Sequence, residues 1–240
     1  MNDSYLGLDG CKGGWFWVAI AQDRTWKAGI SPSIAAVCAH FPQTQQLFID
    51  IPIGLPLHKS RKVDAEARKR LSPRRNSSVF PVPGRAAVYA HTYQEACEKN
   101  FDMMGKKVSK QAWFICPKIK EIDTWLRQHE EWRSIIRESH PEIGFWALNG
   151  GAAMDHNKKT KEGHEERLHL LTQKYPQSGD IHAHAMDTYP RKLLASDDIL
   201  DAVCLAIMAS QPEDHTQIPS VVPFDEKQLP MEMVFSQKYL

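Results

Sequence analysis

The amino-acid sequence predicts an α/β fold, and three observations carry that expectation. Short apolar runs near the start of the chain are separated by glycine-containing turns. The continuous apolar run at 47–52 suits a strand in a parallel or central position. A late segment, 197 to about 210, has helical character and is apolar on almost every side, the mark of a buried helix.

Taken in order, residues 5–9 read as a first strand, and Cys11-Lys12-Gly13-Gly14 supplies turn chemistry before a second strand at 15–21. A shorter third strand falls at 26–30. Ser31-Pro32-Ser33 opens a short helix over 34–41, and 47–52 is the buried strand. Residues 63–71 are read as helical, and Pro73, Pro81 and Pro83 make the stretch after them an irregular loop. Ser109 caps a helix from 110 towards 129, bent or broken at Pro117. A strand at 132–138 leads into Ser139-His140-Pro141-Glu142, and Asn149-Gly150-Gly151 is a turn. Thr160 starts a polar helix to about 175, and Ser196 caps the final helix. From Gln211 onward, four prolines make the tail mostly non-helical. The expected organisation is one domain over 1–210, with a basic, proline-punctuated helical insertion at about 57–130 and a tail at 211–240.

The chain is 42% hydrophobic and 25% charged, ordinary for a globular protein. Its formal net charge of +1 offers no global field to attract nucleic acid, so such a partner would need a local patch. One exists: 57–75 holds eight lysines and arginines against Asp64 and Glu66. The five cysteines are odd in number, widely spaced and without a C-x-x-C pair, which indicates neither a zinc site nor a disulfide framework. With no signal-like start and no apolar stretch near the roughly 18 residues of a membrane span, a cytoplasmic location is expected and a membrane partner is not.

The informative chemistry is acidic. Asp9 interrupts the opening apolar run, Asp50 ends another, and Asp198 and Asp201 lie three apart on the late apolar helix, hence on one face. Buried carboxylates are costly unless they are paired, hydrogen-bonded or bound to metal. An aspartate before glycine also serves as a turn residue, and Asp197 and Asp198 also suit a helix N-terminus. Taken together, the four aspartates read as an oxygen-rich site for Mg²⁺ or Mn²⁺, the ions that support phosphodiester hydrolysis.

Asp on the first strand before a hairpin, Asp on a later strand and Asp-x-x-Asp on a late helix resemble the RNase H-like fold, in particular its Holliday-junction resolvase branch. More closely, the chain resembles a predicted-nuclease family of that superfamily, catalogued as a domain of unknown function. The matching stretches are 7–15, 50–55, 74–80, 138–142, 158–160 and 197–202, with the tail from about Gln211 outside them. The resemblance implies a mixed sheet flanked by helices and a metal-dependent nuclease site. By position it makes Asp9, Asp50 and Asp198 or Asp201 metal ligands, with Glu138 a further candidate acid.

Beyond the acids, Arg74, Arg75 and Arg85 suit a phosphate clamp or a solvated face. Lys12, Lys158 and Lys159 are further phosphate candidates, the latter two beside a helix start. His140 is read as a general acid or base, or as a turn residue before proline. His182 and His184 alternate as if on one side of an extended segment, where they could ligate a transition metal but are better read as surface histidines, and Trp15 and Trp17 share one face of their strand, for packing rather than for stacking on bases. Two rival functions stand beside the nuclease. One is a phosphotransferase of the related sugar-kinase and actin-like fold, for which 240 residues are short and no Gly-x-x-x-x-Gly-Lys-Ser/Thr loop is present. The other is a non-catalytic nucleic-acid-binding or adaptor protein on the same fold.

Overall fold

The computed structural model describes residues 4–240. Strand β1 (Ser4–Cys11) turns through Lys12-Gly13 into β2 (Gly14–Ala21), which pairs antiparallel with β1 and with β3 (Trp26–Ser31). On its other edge β1 pairs parallel with β4 (Gln46–Ile49), and β4 pairs parallel with β5 (Ile136–Glu138). The order β3-β2-β1-β4-β5 makes a mixed five-stranded sheet in an α/β fold, as expected, and the arrangement is compatible with an RNase H-like one.

Side chains alternate across a strand, and the alternation builds two cores. Leu6, Leu8, Trp15, Trp17, Leu47 and Ile49 face one side, under α1 (Ile34–His40) and α5 (Lys110–Gln128). Phe16, Val18, Ile20 and Phe48 face the other, under α9 (Ser196–Ala209). Around α9 pack α6 (Pro141–Leu148), α7 (Lys161–Lys174) and α8 (Ser178–Thr188). The hairpin β6 (His215–Ile218) and β7 (Met233–Ser236) completes this side. Trp15 and Trp17 do share one face; both are buried there, with Trp17 edge-on to Phe41, so neither ring is free to stack on a base.

The caps at Ser33, Ser109 and Thr160 each accept from a backbone N–H three residues on, as the sequence predicts. Pro117 does not break α5. The start of α9 is corrected: Ala195 precedes it, and Asp198 rather than Ser196 closes the first turn by accepting from the Ala195 N–H. His182 and His184 lie on α8, a helix and not an extended segment; His184 meets Trp26 edge-on while His182 turns to α7. The predicted strand at 132–138 shortens to β5 after a 3₁₀ turn at Glu130–Trp132. Between α2 (Lys62–Leu71) and α5 the chain forms α3 (Arg85–Val88) and α4 (Tyr93–Met104). Among the described residues no helix is long and apolar enough to cross a membrane, and all five cysteines are free and buried.

One close approach sets the layers. A Cβ on Gly7 would stand 2.1 Å from Ala206 N and 2.2 Å from Ala202 O, so β1 rests directly on the α9 backbone. Main chain cannot yield as a side chain can, so Gly7→Ala must push the helix off the sheet. Gly7→Ala is expected to lower unfolding free energy by about 3 kcal/mol or more, the upper end of overpacking costs. Equilibrium urea denaturation of the variant checks this.

Candidate metal centre

Parallel pairing aligns the C-terminal ends of β1, β4 and β5, where open α/β sheets bind ligands. Asp9 stands near the end of β1, Asp50 follows β4, and Glu138 ends β5. The Asp50 N–H donates to Leu8 O at 3.0 Å, fixing the first two side by side. Helix α9, held on β1 by Gly7, brings Asp201 to the same point. One carboxylate oxygen from each of Asp9, Asp50 and Asp201 lies within 4.8 Å of the others. Asp9 and Asp201 are buried and Asp50 is half-buried.

The fourth aspartate is placed otherwise. Asp198 accepts from Ala195 N at 3.1 Å and stands outside the three-carboxylate group, because a first-turn carboxylate is drawn to free N–H groups. Glu138 also stands outside it. Arg61 Nη1 and Nη2 donate to its two oxygens at 2.6 and 2.8 Å, and Ile53 N–H adds a bond at 2.7 Å. Arg61 donates as well to Asp64 at 2.6 Å. The charge pattern gave Arg61 to a basic surface, but it is buried and ties α2 to β5. The only sequence signal for this was an acid three residues on.

Asp9 and Asp50 line a cleft of ≈ 390 Å³, with Asp201 buried behind them. Of the cationic candidates, Arg75, Lys158 and Lys159 line it; Lys12, Arg74 and Arg85 do not. Lys12 is exposed in the β1–β2 turn. Arg74 pairs with Asp155 on the surface. Arg85 is buried among Asp123, Asp225 and Glu226, where it joins α3 to α5 and to the C-terminal segment. Lys118, Gln111 and Ser77 also line the cleft; nothing in the spacing of Lys118 and Gln111 marked them. Lys118 donates to Gly14 O at 2.6 Å and lies 4.1 Å from the Trp15 ring centroid.

Lys158 is the chain's own counter-charge. Its Nζ donates to Asp201 Oδ2 at 2.5 Å and stands 3.5 Å from Asp197, which Lys159 holds at 2.6 Å. The loop carrying both lysines presses on α7 at Gly163, where a Cβ would lie 1.9 Å from Asn157 O. His140 also lines the cleft, and its Nδ1 accepts from Glu142 N–H at 3.2 Å to cap α6. A neutral ring in that arrangement carries its proton on Nε2.

The field matches the crowding of acids. Burial, then the charges of Asp50 and Asp201, hold the Asp9 carboxyl well above its ordinary range against the pull of Lys158. Burial and Asp201 push Asp50 up to about 7. Burial raises Asp198 to about 6 despite its backbone bond, and raises Glu138 to about 7 against Arg61. Burial would lower the Lys158 ammonium, yet Asp201 and Asp9 hold it above the usual lysine value. His140 is lowered by burial and so favours the neutral ring.

Fold and site together define an α/β protein with a buried carboxylate triad able to hold a divalent cation. The chain belongs to the family described as "Protein of unknown function (DUF429)", whose model matches residues 7–223 and so runs past Gln211. No curated protein and no solved structure matches the chain.

Two measurements check this geometry. Arg61→Met leaves Glu138 and Asp64 buried without their partner, and should cost about 3–5 kcal/mol in urea unfolding. The second concerns pH. A carboxyl whose folded pKa is raised binds its proton more tightly folded than unfolded. Its penalty is therefore absent below the ordinary value of 3.8, grows as pH rises, and is complete above about 7 for Asp50. Asp50→Asn should accordingly gain stability relative to wild type between pH 5 and pH 8 in chelator-treated buffer. An equal difference at both pH values would contradict the cause assigned.

Proposed function

We propose that the protein is a divalent-metal-dependent phosphodiesterase acting on nucleic acid, built on an RNase H-like arrangement. The observation that carries the reading is the convergence of Asp9, Asp50 and Asp201 at the ends of the central parallel strands, beside a cleft that also presents cations. The donor set fits Mg²⁺ or Mn²⁺: three hard carboxylate oxygens, no sulfur or imidazole among them, and one ammonium against three acids. A bound divalent ion would supply Lewis acidity and charge neutralisation for attack of water on a phosphodiester.

The chain's own residues do the rest. Asp9, Asp50 and Asp201 hold the ion. Arg75 and Lys118 present positive charge along the cleft, where a backbone phosphate is drawn in. Arg75 Nε is enclosed and Nη2 donates to Asp155 O at 3.1 Å, so this guanidinium acts on a phosphate through its charge at the cleft wall. Lys158 holds Asp201 on a flexible stem, so its ammonium would be able to meet a phosphate if a cation took over that charge. His140, neutral, lines the cleft wall beside Ser78, to whose backbone its ring is hydrogen-bonded.

The test is a cleavage panel of single-stranded DNA, duplex DNA, a four-way junction and RNA, each with Mg²⁺ or Mn²⁺. Asp9→Asn and Asp201→Asn should each lose at least about 100-fold in rate, on the scale of removing one charge-stabilising group. Asp198→Asn, whose amide oxygen still caps α9, should retain most activity. Cleavage unchanged in Asp9→Asn, or absent on every substrate with wild type, overturns the reading; metal-indifferent binding would then favour an adaptor.

A further inference from the structure

The junction of α7, α8 and α9 gathers a second and chemically different set of donors. His164 Nε2 on α7 lies 3.1 Å from His182 Nε2 on α8. Ser196 Oγ, on the first residue of α9, lies 2.8 Å from each of them. All three residues are half-buried, so solvent reaches the group.

Hydrogen bonding gives at most two of this triangle's three edges a proton of their own. Its three edges would each need one proton between two heavy atoms. If one imidazole donates from Nε2 to the other, only that proton and the hydroxyl proton are available. If both carry Nε2–H, the edge between the rings has no acceptor. The third edge therefore shares a neighbour's proton in a three-centre bond or is left unbonded. A cation above the triangle, about 2.0–2.1 Å from each atom as imidazole–zinc bonds require, would satisfy all three lone pairs at once. At that height the two nitrogens subtend roughly 100° and each nitrogen–oxygen pair roughly 85°. These angles suit one face of a five- or six-coordinate ion completed by water.

We propose that His164, His182 and Ser196 form a second metal site, selective for a borderline transition ion such as Zn²⁺ or Ni²⁺. Two imidazoles favour these ions, whereas the all-carboxylate cluster favours Mg²⁺ or Mn²⁺. The positive end of the α9 dipole opposes a cation at Ser196, and Asp197 and Asp198 in the same first turn offset it. The three ligands come one from each of three consecutive helices, so the ion would staple α7 and α8 to the start of the helix that carries Asp201. The site does not depend on the nuclease reading.

The experiment is calorimetric titration of Zn²⁺ into the full chain with Mg²⁺ in saturating excess. The expected result is one Zn²⁺ per chain, weakened in both His164→Gln and His182→Gln by more than about 10-fold, the lower bound for losing even an outer partner. Asp50→Asn should keep the full Zn²⁺ stoichiometry. Histidine-ring NMR of the unmutated protein gives the same answer if a variant fails to fold: Zn²⁺ should shift the His164 and His182 rings before the rest. Absence of Zn²⁺ binding, binding unchanged in both glutamine variants, loss of binding in Asp50→Asn, or first shifts at other histidines would each overturn the proposal.

Discussion

The contact of α9 with β1 at Gly7 is the constraint on which the rest of the molecule depends. Helix and sheet normally stand apart by the thickness of their side chains, but here Ala202 and Ala206 meet a strand residue with no Cβ. The helix is consequently buried along almost its whole length, from Ile199 to Ala209. A carboxylate at Asp201 is thereby carried below the surface to face Asp9, two residues beyond Gly7 on the same strand. The acid site is thus a consequence of layer spacing as much as of residue type. Widening that spacing by one methyl group would separate the triad before it exposed any core residue.

A second frame of buried ion pairs surrounds this contact. Arg61 joins Asp64 and Glu138 beneath the cleft, Arg167 bonds Glu142 on α6 at 2.6 Å, and Arg85 joins Asp123 to Asp225. Asp225 also accepts from Leu55 N–H at 2.9 Å, so the C-terminal segment holds the loop that comes after Asp50. Buried pairs of this kind add little net stability but make the loss of one partner expensive. The Arg61 and Arg85 pairs fix where the segments between β4 and β5 sit over the strand ends, and the Arg167 pair ties α7 to α6. Cations reach the cleft in a chain whose net charge is only +1.

The sheet was legible because its signals were local: three apolar runs, a glycine turn between the first two, and a continuous run that wanted burial on both faces. Three of the four aspartates were legible for the same reason, each being a charge where apolar neighbours demanded an explanation. Asp198 was not separable from Asp201, since helical spacing puts both on one face and only the cap at Ala195 N distinguishes them. The helix Tyr93–Met104 carries an N-cap at Thr92, Glu95 three residues on and a left-handed Gly105, local signals that the prolines before it overshadow. Arg85 and the meeting of His164 with His182 carried no local signal, and Arg61 carried only Asp64 three residues on. They depend on residues 18 to 140 positions apart that only the tertiary fold brings together.

The fold gathers three carboxylates where together they could hold a hard divalent ion. The most direct test is Mn²⁺ binding followed by electron paramagnetic resonance at pH 8, where Asp50 is ionised, on wild type and the Asp9→Asn, Asp50→Asn and Asp198→Asn variants. The structure predicts tight binding to wild type and to Asp198→Asn, and its loss in the other two. Binding that survives both Asp9→Asn and Asp50→Asn, or fails in the folded wild type, would contradict the account.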